Sequence, residues 1–230
     1  MSRFDTTRWS VVLNARADAP QAHAALETLC RSYRPAVLAY VRGRGYPTDV
    51  ADDLVQTFFL RFIEKDWHAG ADPERGRFRA YLLTMLKRHL GACANESHAL
   101  KRGGGVQFES IENERDAGAA EETPERTFER VWAITVLGRA LSRLRAEADA
   151  AGKRGLFDAL REFLVESPDE ADYMRAAAKL GLRRNTLAVA VHRLRHRLRE
   201  LVHAELAETT SAQSEFDAEL RDLSHVLGSE

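Results

Sequence analysis

Apolar side chains recur at steps of three and four along most of the chain, and no stretch alternates apolar with polar residues as a half-buried strand would. The pattern predicts an all-α fold. Ala25, Leu29, Ala36, Val37 and Tyr40 mark a first helix over about 22–44, ended by Gly43 and Gly45 before Pro47 and bent or split at Pro35. A second helix is expected to run from an N-cap at Thr48 to about Glu64, with Ala51, Leu54, Val55, Phe58 and Phe62 as its inward stripe. Residues 66–77 read as a loop, since Gly70, Pro73 and Gly76 break the period, and a third helix follows from Phe78 to about Leu100.

Beyond Lys101 the period stops. Gly103, Gly104 and Gly105 stand in a row, and acidic residues then dominate through Glu121 and Glu122, so 101–124 reads as an acidic flexible linker. It divides an N-terminal helical domain, 1–100, from a C-terminal helical domain, 125–208. Helices of the latter are expected at about 125–147, 154–164, 172–180 and 184–208. Phe216, Leu220, Leu223 and Leu227 give the extension 209–230 an amphipathic helical pattern.

The segment from Asp172 to Glu205 predicts a helix-turn-helix. A short alanine-rich helix ends at Leu180, Gly181 permits a left-handed turn, and a long helix starts after Arg183. Leu187, Val191, Leu194, Leu198 and Leu201 form its inward seam. The remaining face presents Arg184, Asn185, Thr186, Ala188, Val189, His192, Arg193 and His196, and no acidic residue occurs between Lys179 and Arg199. Such a face suits a major groove, because small residues allow close approach and Asn and Arg can pair with base edges. Arg183, Arg195, Arg197 and Arg199 are candidate phosphate contacts.

The formal net charge of −1 conceals this segregation of charge. On the second helix, Asp49, Asp52, Asp53, Gln56 and Thr57 fall at helical spacing, beside Leu60, as an acidic and amide strip suited to a basic helical protein partner. In and after the loop, Arg75, Arg77, Lys87, Arg88 and His89 lie near Trp67, a mixture suited to single-stranded DNA. Cys30 and Cys93 have no C-x-x-C partner and read as buried reduced thiols. His192 and His196, one turn apart, lack a nearby third ligand, so no metal or other cofactor is expected. No phosphate loop, H-E-x-x-H or nucleophile elbow is present, and the expectation is a binding protein, not an enzyme. The N-terminal residues lack signal-peptide order and no apolar run would span a bilayer, from which a cytoplasmic protein without membrane insertion is expected.

The order DDLVQTFFLRF, loop, FRAYLLTMLKRHL, linker and terminal helix-turn-helix resembles the extracytoplasmic-function sigma factors of the sigma-70 family, in a subgroup with a C-terminal extension. The resemblance implies a factor that binds core RNA polymerase and directs promoter-specific initiation. It places Asp52, Asp53, Gln56 and Leu60 on the clamp helices of the large polymerase subunit. Arg75, Arg77, Lys87, Arg88 and His89 would melt and read the downstream promoter element, and the helix-turn-helix would read the upstream one. Where the family commonly writes D-A-E-D-L-V-Q-E, this chain has Val50 and Thr57 at the first and last positions. Thr57 is therefore either a tolerated neutral residue or a site where a Ser/Thr kinase would restore the missing charge. An anti-sigma factor is a further possible partner. The alternative is a helix-turn-helix regulator that binds duplex operator DNA without polymerase, through an N-terminal dimerisation or sensor domain.

Overall fold

The computed structural model describes residues 20–71, 78–102, 122–164 and 169–207; Arg75, Arg77, most of the linker and the expected helix in the extension lie outside them. The described residues are all-helical. In chain order the helices are α1 (Pro20–Gly43), α2 (Thr48–Glu64), α3 (Phe78–Arg102), α4 (Pro124–Ala150), α5 (Arg154–Leu160), α6 (Glu170–Leu180) and α7 (Arg184–Ala207). The described residues fall into two compact units, one up to Ile134 and the other Thr135–Ala207. Helix α4 thus contributes its opening turns to the first and the remainder to the second.

The first unit is built on α1 and α2. Tyr33, Ala36, Val37, Tyr40 and Val41 recur at three- and four-residue steps on α1 and are buried, as are Ala51, Val55, Phe58 and Phe62 on α2 and Phe78, Leu82, Leu86 and Leu90 on α3. Aromatic rings knit the three stripes together: Tyr33 lies 5.4 Å from Phe78, and Phe62 lies 6.3 Å from Phe78 edge-on. Such edge and tilted contacts are favoured over face-to-face stacking. A short 3₁₀ turn, Trp67–Gly70, closes over this cluster, with Trp67 6.4 Å from Phe58 and its carbonyl accepting the Tyr81 hydroxyl at 2.6 Å.

Three local expectations change. Helix α1 runs unbroken through Pro35, whose missing N–H costs one bond of the ladder without splitting the helix. Thr48 is the first helical residue and not the cap; Pro47 precedes it with extended backbone, and no side chain caps the helix. The segment expected as one helix over 154–164 bends after Leu160 and finishes as a 3₁₀ turn, Glu162–Leu164.

In the second unit, Leu160, Ala177, Leu187 and Val191 form a buried cluster to which Leu156, Phe163, Tyr173, Leu180, Leu182 and Leu194 add partly buried surface. Helix α6 starts earlier than expected. Asp169 is its cap, accepting the Asp172 N–H at 2.7 Å, while the Asp172 carboxylate accepts the Asp169 N–H at 3.0 Å. The reciprocal pair satisfies two otherwise orphaned donors. At the other end Gly181 has φ 64° and ψ 27°, and the Leu182 N–H reaches back to the Ala177 carbonyl at 3.0 Å. This left-handed stop, cheap only for glycine, turns the chain from α6 into α7. Glu205, buried near the end of α7, accepts from Arg143 at 2.8 Å and lies 3.9 Å from Arg139.

Candidate protein and nucleic-acid interfaces

On α2 the polar strip divides. Asp49, Asp53, Gln56, Thr57 and Leu60 are exposed; Gln56 and Thr57 stand three and four residues after Asp53 and four and three before Leu60, which places the set on one face. Leu60 is 55% exposed and Val50 41%, so large apolar side chains stand among the acids. The Thr57 hydroxyl donates to the Asp53 carbonyl at 2.8 Å. Asp52 leaves this face: its carboxylate accepts from Arg34 of α1 at 2.9 Å and lies 3.6 Å from Arg42. An aspartate tied to two cations of its own unit is satisfied where it stands.

Lys87, Arg88 and His89 cannot share a face of α3, because consecutive helical residues project about 100° apart. Arg88 is exposed, with its guanidinium 4.0 Å from the Met85 sulfur. Lys87 is exposed but donates to Glu125 at 2.8 Å; that bond raises the Lys87 pKa and lowers that of Glu125. His89 corrects the expectation of a DNA contact. It is 2% exposed, its ring 5.7 Å from Phe58 and its Nε2 3.6 Å from the Cys93 sulfur, so it is a core residue. Cys30 and Cys93 are free thiols, half-buried where full burial was expected.

Burial, reinforced by Arg61, depresses the His89 pKa, keeping the imidazole neutral. The unfolded chain takes up a proton near the ordinary value of 6.5, which the folded unit resists. The stability this gives is therefore complete above about pH 6.5 and is lost as pH falls through the depressed folded value. His89→Leu is expected to flatten the decline in thermal stability between neutral pH and pH 5, measured by circular dichroism melts. An unchanged slope would show that His89 is not the titrating group.

Arg79 is a functional candidate that the sequence reading missed. It is 4% exposed, pairs with Glu129 at 2.8 Å and lies with its guanidinium 4.4 Å from the Trp132 ring centroid. The signal was its place eight residues before Lys87 in an otherwise apolar stretch of α3.

In the second unit α7 turns Leu187, Val191, Leu198 and Leu201 inward, with Leu194 half-buried. Arg183, Asn185, Thr186, His192, Arg193 and His196 are exposed, Ala188 is half-buried, and Val189 is 51% exposed. Arg183 and Arg193 make no ion pair among the described residues. Arg184 is held on α6 instead, donating to both Glu170 oxygens at 3.0 and 2.6 Å with its guanidinium 5.3 Å from the Tyr173 centroid. That pairing raises the Arg184 pKa and lowers the Glu170 pKa. His196 lies 3.3 Å from Glu200.

Two expected phosphate contacts have structural work. Arg195 donates to the Phe163 carbonyl at 2.8 Å, and Arg197 donates to Glu147 at 2.9 and 2.8 Å and to Glu200 at 2.6 Å. Arg199 donates to the Arg195 carbonyl at 3.4 Å. The exposed strip at the start of α7, closing with Arg193, is thus the part free to meet a ligand.

An acidic and apolar helix face and an aromatic-rich 3₁₀ turn before a basic helix now stand within one unit. Residues 29–90 match Sigma-70 region 2. The match takes in most of α1, all of α2 and α3 as far as Leu90. Region 2 in general binds core RNA polymerase and −10 promoter DNA, and its presence supports a sigma-70 family sigma factor with a role in transcription initiation. No curated protein and no solved structure matches the chain. Among the described residues no helix is long and apolar enough to cross a membrane.

Proposed function

We propose that this chain is an extracytoplasmic-function-type sigma factor, a cytoplasmic protein with no chemistry of its own that recruits core RNA polymerase to promoters. The observation that carries the reading is the exposed Asp49, Asp53, Gln56 and Leu60 face of α2, which falls inside the region 2 match. Carboxylates steer and orient a basic partner, while Leu60 and Val50 supply the apolar surface that contributes most to a small interface. Arg88, with the basic residues preceding α3, would engage the downstream element. The exposed strip Arg183, Asn185, Thr186, Val189, His192 and Arg193 would read the upstream element, with Val189 suited to a thymine methyl.

Regulation by a Ser/Thr kinase belongs to the same proposal. Thr57 is exposed at the polymerase-facing strip, and a phosphate there would add about −1.5 to −2 charges where the family commonly carries Glu. An anti-sigma factor would compete for the same α2 face.

The decisive test mixes purified chain, core polymerase and a promoter library and sequences the transcripts. Specific initiation that requires both proteins is the expected result, with weak promoter binding by the chain alone. Full-affinity binding to an operator without polymerase would instead establish the regulator reading.

A further inference from the structure

We infer that the opening turns of α4, Pro124–Ile134, are an intramolecular competitor of nucleic acid, in which Glu125 and Glu129 occupy cations that DNA phosphates would otherwise bind. The inference rests on the region 2 reading of α1–α3. Arg79 and Lys87 stand eight residues apart on α3, about 12 Å along its axis and within a quarter turn of each other. Both meet carboxylates of α4: Glu129 lies 2.8 Å from Arg79, and Glu125 lies 2.8 Å from Lys87. Trp132 lies against the Arg79 guanidinium, 4.4 Å from the cation to the ring centroid. A carboxylate and a flat aromatic ring are what α4 places on Arg79. A phosphate and a flat base are what a single strand would place there, since guanidinium planes stack bases as readily as indoles.

Arg79 is held in its buried place by Glu129 and the Trp132 ring. The inward row Phe78, Leu82, Leu86 and Leu90 fills the α3 side of the core without it, and a buried guanidinium is costly unless paired.

Release of the segment would uncover Phe128 and Trp132, which are buried, and free Glu125 from the Tyr40 hydroxyl at 3.5 Å, while the helix itself can persist. Thr123 Oγ accepts the Arg126 N–H at 3.2 Å, and Pro124 occupies the first helical position, so the helix start is satisfied by its own residues. The Lys87–Glu125 pair is exposed, and exposed pairs are weak.

A disulfide can hold the segment down. A Cβ added at Gly43 would lie 3.4 Å from the Pro124 Cβ, within a few tenths of an ångström of disulfide spacing. The native thiols interfere little, because burial pushes Cys30 up to about 11 and also raises Cys93.

Full-length Gly43→Cys/Pro124→Cys is compared oxidised and reduced, for binding a fluorescent mixed-sequence single-stranded DNA 20-mer and for binding core polymerase. The oxidised form is expected to bind the 20-mer about tenfold more weakly than the reduced form, the loss of charge-assisted contacts, with polymerase affinity unchanged. Glu125→Gln/Glu129→Gln should bind the 20-mer about fivefold more tightly than wild type, and the Glu64→Gln/Glu162→Gln control should not.

Equal DNA binding by oxidised and reduced forms, with the glutamine variants matching their control, would overturn the inference and make 124–134 a fixed part of its unit. A chain that binds neither polymerase nor DNA in either redox state would instead sink the region 2 reading, and this inference with it. Should the disulfide not form, the glutamine variants decide alone.

Discussion

Leu187→Asp is expected to unfold the second unit while leaving the first intact. Leu187 is fully buried in the cluster with Leu160, Ala177 and Val191, at the start of the helix that carries the exposed strip. An aspartate there must either bury an unpaired carboxylate or expel the start of α7 from the core, and either costs several kcal/mol. Folded domains have only about 0.05–0.15 kcal/mol per residue to lose, so a unit this small does not survive the change. Hydrogen exchange should show peptides from 169–207 losing protection while peptides from 29–64 keep theirs. Duplex DNA binding should disappear with it. Val189→Asp, two residues along and exposed, should leave protection unchanged, which separates burial from mere added charge. Retained protection in Leu187→Asp would refute the packing of α7 described above.

Elements with strong periodicity were legible in the sequence, because burial of a stripe needs only local spacing. The α2 stripe is an instance: Ala51, Val55, Phe58 and Phe62 are buried and Leu54 half-buried. Gly181 was legible for a different reason, since a left-handed residue between two helical patterns is almost a signature of that turn. What spacing could not supply was the destination of charge. Asp52 and Asp53 are neighbours in sequence with the same chemistry, yet one meets Arg34 and Arg42 of α1 and the other faces outward. Arg195 and Arg197 looked as free as Arg193 in an acid-free stretch. Their partners, the Phe163 carbonyl and Glu147, stand 32 and 50 residues earlier and are found only by folding.

His89 shows the same limit from the other side. A histidine following lysine and arginine reads as part of a basic cluster, but Lys87 and His89 point to different sides of α3 and the stripe claims the histidine. Arg79 is the converse, a cation in an apolar context that the periodicity gave no reason to single out. Both depend on tertiary packing, which overrides residue type.

A charge-reversed, apolar-depleted α2 face should lose polymerase while keeping its fold. Asp53 and Leu60 are exposed on the same strip, so Asp53→Lys/Leu60→Asp disturbs no buried contact, and the melting temperature of the first unit should stay within a degree or two of wild type. Binding to core polymerase is expected to fall at least about thirtyfold, the 2 kcal/mol or more typical of residues at the centre of an interface. Asp52→Asn is the informative contrast. It loosens the ties to Arg34 and Arg42, worth at most about 1 kcal/mol for half-exposed pairs, and should change polymerase affinity little. Thr57 is read in the same assay. If phosphorylation completes the acidic face, Thr57→Glu binds more tightly than wild type and Thr57→Ala; equal affinities for all three would end the kinase proposal. Wild-type affinity in Asp53→Lys/Leu60→Asp would be more serious, because it would detach the α2 face from polymerase altogether and leave region 2 without its expected docking surface.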